Sequence, residues 1–152
     1  MADSNTPSTA IHRISAGNIS HLSRLAPDVF DEDISDSALA KFVGVSNHAL
    51  FVAVAEEIVV GQARGVIHYQ PDLPSELYVD NLGVTPAYQR VGVATKLLRC
   101  LGDWGRESGC KSMWVATELD NEQGMGFYKS LGLEAATIAY FQADISGPNS
   151  PV

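Results

Sequence analysis

The sequence predicts an α/β (α+β) domain, and three observations predict it. Strand-like and helix-like stretches alternate in the order β-α-α-β-β-β-α-β-α-β-β. Two apolar runs, 50–55 and 58–69, meet at Glu56-Glu57 and read as a hairpin. After the strand-like run 76–84, Ala94, Leu97, Leu98, Leu101 and Trp104 recur at helical spacing, which marks an amphipathic helix.

Each element has its own signal. Residues 10–14 form a short strand, and 19–25 and 35–43 read as two short helices separated by Pro27 and an acidic connector. The hairpin follows, and 71–75 turns into the strand 76–84, which Thr85-Pro86 ends. Beyond the long helix, 111–117 reads as another strand. A short helix carries Phe127 and Tyr128 and closes at Leu131-Gly132, where a glycine suits a helix C-terminus. Residues 134–136 and 139–145 are expected to supply closing strands. The domain is expected to span 10–146, between polar, flexible termini at 1–9 and 147–152. No internal repeat is seen and no second domain is expected.

Composition excludes several function classes. A chain of 152 residues, 45% of them hydrophobic, is one globular domain with a substantial core. It contains no run of about 18 apolar residues, so no membrane span is expected. The start, Met1-Ala2-Asp3-Ser4-Asn5, lacks a basic region followed by an apolar core, so export is not expected. Cys100 and Cys110 are expected to stay reduced, which fits a cytoplasmic protein. His12, His21, His48 and His68 are scattered, no cluster has zinc-ligand spacing, and no metal is expected. A net charge of −8 argues against nucleic acid and against anionic membranes as partners.

The chemistry concentrates in Gln89-Arg90-Val91-Gly92-Val93-Ala94. A loop with a glycine leads there from a strand into a helix N-terminus. Unpaired backbone N–H groups and the positive end of the helix dipole meet at that point, which suits a phosphate. Arg90 adds a cation, and Gly92 removes a Cβ from the approach. A Walker loop fails, since Thr95 rather than glycine precedes Lys96, and a dinucleotide fingerprint fails, since Gly92 stands alone.

What matches is Gln/Arg-x-x-Gly-x-Gly/Ala, the pyrophosphate signature of the GCN5-related N-acetyltransferases (GNAT). Downstream, Asn121 followed by a short helix with Phe127-Tyr128 and closed by Leu131-Gly132 resembles the second motif of that superfamily. The two motifs stand in the right order, and the resemblance covers roughly 10–144. It implies a central mixed, mostly antiparallel sheet flanked by helices, with the fourth and fifth strands splayed around the pantetheine arm of acetyl-CoA. Carried over, Leu82, Gly83 and Val84 line that arm, with the Leu82 and Val84 backbones pairing with it. A backbone N–H near Leu82 faces the thioester carbonyl if a bulge occurs there. Gln89, Arg90, Val91, Gly92, Val93, Ala94 and Thr95 hold the pyrophosphate, and Asn121 bonds the arm. Phe127 is assigned to the core.

The family reaction moves an acetyl group from the thioester to an amine. An oxyanion forms and a thiolate leaves. Tyr128 is the residue the resemblance names for that thiolate, since a phenol can hydrogen-bond to and protonate it. Packing alone is the plainer role for the same side chain. The proton acceptor is open among Glu76, Asp80 and Glu118, each of which could equally be a solvated strand-end charge. Alternation puts Glu76, Tyr78 and Asp80 on one face if no bulge intervenes. Members that acetylate protein N-termini carry a glutamate where this chain has Ala116, which weakens that reading.

For the acceptor, Asp28, Asp31, Glu32, Asp33 and Asp36 crowd the connector between the first two helices, either as solvated capping acids or as a field for a polycationic amine. Ser75-Glu76-Leu77-Tyr78, Leu82-Gly83-Val84, the length and the ending around 141–145 are similar to the aminoglycoside N-acetyltransferases of the gentamicin-resistance type. That similarity implies a small-molecule amine acceptor such as an aminoglycoside. A polyamine or peptide acceptor and a non-catalytic CoA-binding module stay open. A second copy of the chain, as a homodimer, also stays open as a partner.

Overall fold

A computed structural model describes residues 7–152. The expectation of a flexible N-terminus falls mostly on residues 1–6, outside the described residues. The elements are β1 (Ala10–Arg13), a 3-10 turn (Ile19–Ser23), α1 (Asp36–Val43), β2 (His48–Ala55), β3 (Ile58–His68), β4 (Glu76–Val84), a 3-10 turn (Pro86–Tyr88), α2 (Val93–Glu107), β5 (Ser112–Val115) and α3 (Glu122–Ser130). The described residues up to Ala116 form one compact unit, and those from Thr117 to Val152 form another.

In the first unit, one five-stranded sheet runs β1-β2-β3-β4-β5. The first four strands are antiparallel neighbours, and β5 joins β4 in parallel. This is the mixed, mostly antiparallel sheet that was expected. The β2–β3 hairpin closes with Glu56 and Glu57 both left-handed, at φ 49° and 63°. Two positive φ values match the twist of the flanking strands, and the chain adopts them here without a glycine.

Each sheet face has its own cover. Leu77 and Val79 of β4 are buried, as are Leu97, Leu98, Leu101 and Trp104 of α2, and α2 packs on β1 through β4. Its apolar residues recur every three or four positions, so one stripe meets the sheet. On the opposite face Leu50, Val52 and Val59 pack with Ile14 and Val29, joined by Leu22, Phe30, Phe42 and Val43. Ser35 caps α1, its Oγ accepting from the Ala38 N–H at 3.4 Å.

Two expectations are corrected. The stretch read as a helix over 19–25 is a single 3-10 turn, after which Leu25 bridges to Val59 and the Ala26 N–H donates to the Val59 carbonyl at 2.9 Å. Pairing to β3 takes the backbone groups that a longer helix would have used. The closing strands over 134–136 and 139–145 do not form. Ile138, Tyr140, Phe141 and Ile145 are 71%, 79%, 90% and 73% exposed. Alternating composition makes a strand only where a neighbouring backbone and a covered face exist. On β4 the condition left open is met, and a bulge intervenes. Gly65 pairs with Val79 and Arg64 with Asn81, which leaves Asp80 as the extra residue.

In the second unit α3 is capped by Asn121, whose Oδ1 accepts from the Gly124 N–H at 3.1 Å while its Nδ2 donates to Thr117 Oγ1 at 2.8 Å. The helix ends as expected, with Gly132 left-handed at φ 84° and its N–H donating to the Lys129 carbonyl.

Candidate active site

The site begins where β4 loses a neighbour. β5 pairs only with Glu76, Leu77, Tyr78 and Val79, so the stretch 80–84 has β3 on one side and no β5 residue on the other. Pairing between the fourth and fifth strands thus stops midway along the fourth, as a splayed pair would require. The Thr85 N–H donates to the Val60 carbonyl on β3 at 2.9 Å. Backbone groups alternate sides along a strand, so the groups of Val84 and Leu82 point to the opposite, open edge. The Val84 carbonyl is engaged there by Gln89 Nε2 at 2.9 Å, which ties the first residue of the glycine loop to the end of the edge.

The loop then enters α2 through two left-handed residues, Arg90 at φ 62° and Gly92 at φ 90°. The glycine is required by that φ. A Cβ built there meets nothing within 4 Å, so the approach to Gly92 is open. No side chain caps α2, and its first turn holds no acid. The N–H groups of Val93, Ala94 and Thr95 are therefore available to an anion at the positive end of a 15-residue helix. Arg90 is exposed beside them, Val91, Ala94 and Thr95 are half-buried, and Val93 anchors the turn in the core at 3% exposure.

The three carboxylates have different surroundings. Glu76 is half-buried and accepts from the Ser112 hydroxyl at 3.3 Å. Asp80 is held by the Arg64 guanidinium in an ion pair. Glu118 is exposed and belongs to the second unit. Beside Glu76, Tyr78 stacks on Trp114 with ring centroids 4.2 Å apart, and Trp114 keeps 43% exposure. Tyr128 and Asn121 also belong to the second unit. Tyr128 is half-buried against Phe127, their rings edge to face at 5.2 Å. Burial raises the Tyr128 phenol above its ordinary value, so it stays protonated through neutral pH. Phe127, assigned to the core, is also only half-buried.

Sequence reasoning missed Gln62. It sits fully buried on β3, donating from Nε2 to the Val29 carbonyl at 3.2 Å and to Asn81 Oδ1. Asn81 Nδ2 in turn donates to Asp31 Oδ2 at 3.1 Å. A polar residue inside the run Val59-Val60-Gly61-Gln62-Ala63 was the signal that could have found it. Asp31 is the member of the acidic connector that this chain of bonds brings to β4. Both cysteines are free thiols, with burial raising each above its ordinary value. Among the described residues, no group of three or more His, Cys, Asp or Glu could hold a metal ion, and no helix is long and apolar enough to cross a membrane.

Known proteins share this architecture. A solved structure of AAC(6')-Iy in complex with the bisubstrate analogue CoA-S-monomethyl-acetylneamine superposes with a TM-score of 0.76 at 22% identity, covering 90% of this chain and 98% of that one. An aminoglycoside acetyltransferase from an uncultured soil metagenomic sample, in complex with sisomicin, gives a TM-score of 0.76 at 20% identity over 88% and 95% of the two chains. By sequence, the aminoglycoside N(6')-acetyltransferase type 1 of Salmonella typhimurium is 23% identical over 82% of this chain and 90% of its own length. The pattern of the acetyltransferase (GNAT) family matches residues 18–133, across both compact units. The chain is an acetyltransferase of the GNAT family.

Proposed function

We propose that this chain transfers the acetyl group of acetyl-CoA to a primary amine of a small polycationic acceptor, an aminoglycoside. The observation that carries the proposal is the half-open β4, whose free edge runs through Gln89 directly into the uncapped N-terminus of α2. In this reading Leu82 and Val84 hold the pantetheine arm through their backbones, with Gly83 between them. The segment from Gln89 through Arg90, Val91, Gly92, Val93 and Ala94 to Thr95 takes the pyrophosphate. Asn121 is assigned to bond the arm as well. Fixed N–H groups favour such an anion because they need no reorganisation when it binds.

The amine attacks the thioester carbonyl as a neutral nucleophile, the carbonyl oxygen takes the negative charge, and the thiolate leaves. Tyr128 gives the thiolate its proton, since a phenol is protonated at neutral pH. Of the three candidate bases, Glu76 is the favoured one, accepting directly or through a water. Asp80 is committed to Arg64, and Glu118 is a solvated carboxylate. The polycationic acceptor is supported by the acceptors named for the relatives and by a net charge of −8, which also disfavours nucleic acid and anionic membrane. We assign the activity to the cytoplasm, which two unpaired thiols support. We assign it to a homodimer, for which the exposed Ile138, Tyr140, Phe141 and Ile145 offer apolar surface to cover.

The test is release of CoA thiol from acetyl-CoA across a panel of amines. Aminoglycosides are expected to give the highest kcat/KM, followed by linear polyamines and then monoamines. Turnover confined to peptide N-termini would replace the acceptor. No thiol release with any amine would leave only a CoA-binding module.

A further inference from the structure

Gln62 is a poor residue for stability where it stands. Its side chain is fully buried, and its Oε1 has no hydrogen-bond partner. An unsatisfied buried polar atom costs stability, and an apolar residue of similar shape would avoid that cost. What the amide provides is direction. Its Nε2 donates to Asn81 Oδ1, which turns the Asn81 Nδ2 outward as a donor, and that donor is met by Asp31 Oδ2 at 3.1 Å. Only a carboxylate or another acceptor can end such a chain.

The loop that brings Asp31 to this point is held at three further places. Val29 is 2% exposed, and its carbonyl accepts from Gln62. Gly83 lies so close beneath it that a Cβ there would stand 2.5 Å from the Val29 carbonyl oxygen. Asp28, one residue earlier, is left-handed at φ 61°, a strained conformation for a residue other than glycine. The result is an exposed carboxylate fixed beside the bulge of β4, at the start of the open edge. The neighbouring carboxylate, Asp80, is already neutralised by Arg64.

We propose that Asp31 is a specificity residue that binds a cationic group of the acceptor, and that Asn81 and Gln62 are positioning residues that aim it. The Asp31 Oδ2 is spent on Asn81, and its Oδ1 receives the ammonium. This rests on the polycationic-acceptor reading above and deepens it, because an acceptor with one amine gains nothing from a second cation site. The amine bound by Asp31 is a non-reacting one, so the gain lies in acceptor binding and leaves acetyl-CoA affinity alone.

The experiment compares the parent, Asp31→Asn, Asn81→Ala and the double variant, using sisomicin as polycationic probe and benzylamine as monoamine. Asp31→Asn keeps an acceptor for Asn81 and removes only the charge. It is expected to raise the sisomicin KM about ten- to one-hundred-fold, the range for a charge-assisted hydrogen bond, with the benzylamine and acetyl-CoA KM values unchanged. Asn81→Ala is expected to raise the sisomicin KM by a smaller factor, and the double variant to be no worse than Asp31→Asn alone, because Asn81 acts through Asp31. A purely structural role for Asn81 would instead shift thermal stability and all three KM values together, which overturns the proposal. So does a sisomicin KM that Asp31→Asn leaves unchanged. Calorimetric binding of sisomicin separates this from the activity itself. If the parent releases no thiol with any amine, the transfer reading fails, and weaker sisomicin binding by Asp31→Asn still supports the cation site, whereas equal binding overturns it.

Discussion

The two halves of β4 differ in what lies beside them. From Glu76 to Val79 the strand has β3 on one edge and β5 on the other, and Leu77 and Val79 are 2% and 1% exposed under α2. From Asp80 to Val84 the same strand keeps β3, gains a bulge and loses β5, and Asn81, Leu82, Gly83 and Val84 are all half-buried. The first half is built for stability. In the second half the backbone groups of Leu82 and Val84 point away from β3, where β5 no longer pairs. One strand thus supplies both the scaffold and the edge, and the bulge at Asp80 is the point of change.

Truncation should separate the halves most strongly. Leu77→Ala opens a cavity in the packed half and is expected to cost about 2–5 kcal/mol of stability, read by denaturant unfolding. Leu82→Ala, at a half-exposed position, is expected to cost less than about half of that. Equal losses would mean that the second half is packed as tightly as the first.

A second test takes the edge to its end at α2. Gly92→Glu places a carboxylate at the uncapped N-terminus, where the chain itself has no acid. The added side chain meets open space, and the left-handed φ costs about 1–2 kcal/mol, so the protein is expected to remain folded. Acetyl-CoA affinity is expected to fall about one-hundred-fold, because the new carboxylate takes the anion's place on the amides and repels the phosphates. Unchanged affinity, measured by calorimetry on folded protein, would remove the loop from the cofactor site.

Much of this was legible in the sequence, for local reasons. The β2–β3 hairpin, β4 and α2 carry their own periodicity, and the glycine loop carries its own spacing. What was not legible depends on partners distant in the chain. The bulge is decided by which residue of β3 faces which residue of β4, so alternation along 76–84 alone could not show Asp80 as the extra residue. The role of Gln62 needs Val29, 33 residues away, and Asn81, 19 residues away. Residues 134–145 alternate like a strand, yet strand formation requires a backbone neighbour that sequence pattern does not supply. Tyr128 was legible as a motif residue, and its half-buried setting and raised phenol came only with the structure.

The central claim is that the open edge of β4 is where the acyl donor lies. Residue-resolved amide hydrogen exchange, with and without saturating acetyl-CoA, tests it most directly. The Leu82 and Val84 amides point to the open edge and are expected to gain protection of about tenfold or more on binding, the effect of a new hydrogen bond of about 1.4 kcal/mol. The Leu77 and Val79 amides, already between two strands and buried under α2, are expected to change little. Saturated binding that leaves Leu82 and Val84 exchanging as before would contradict the account.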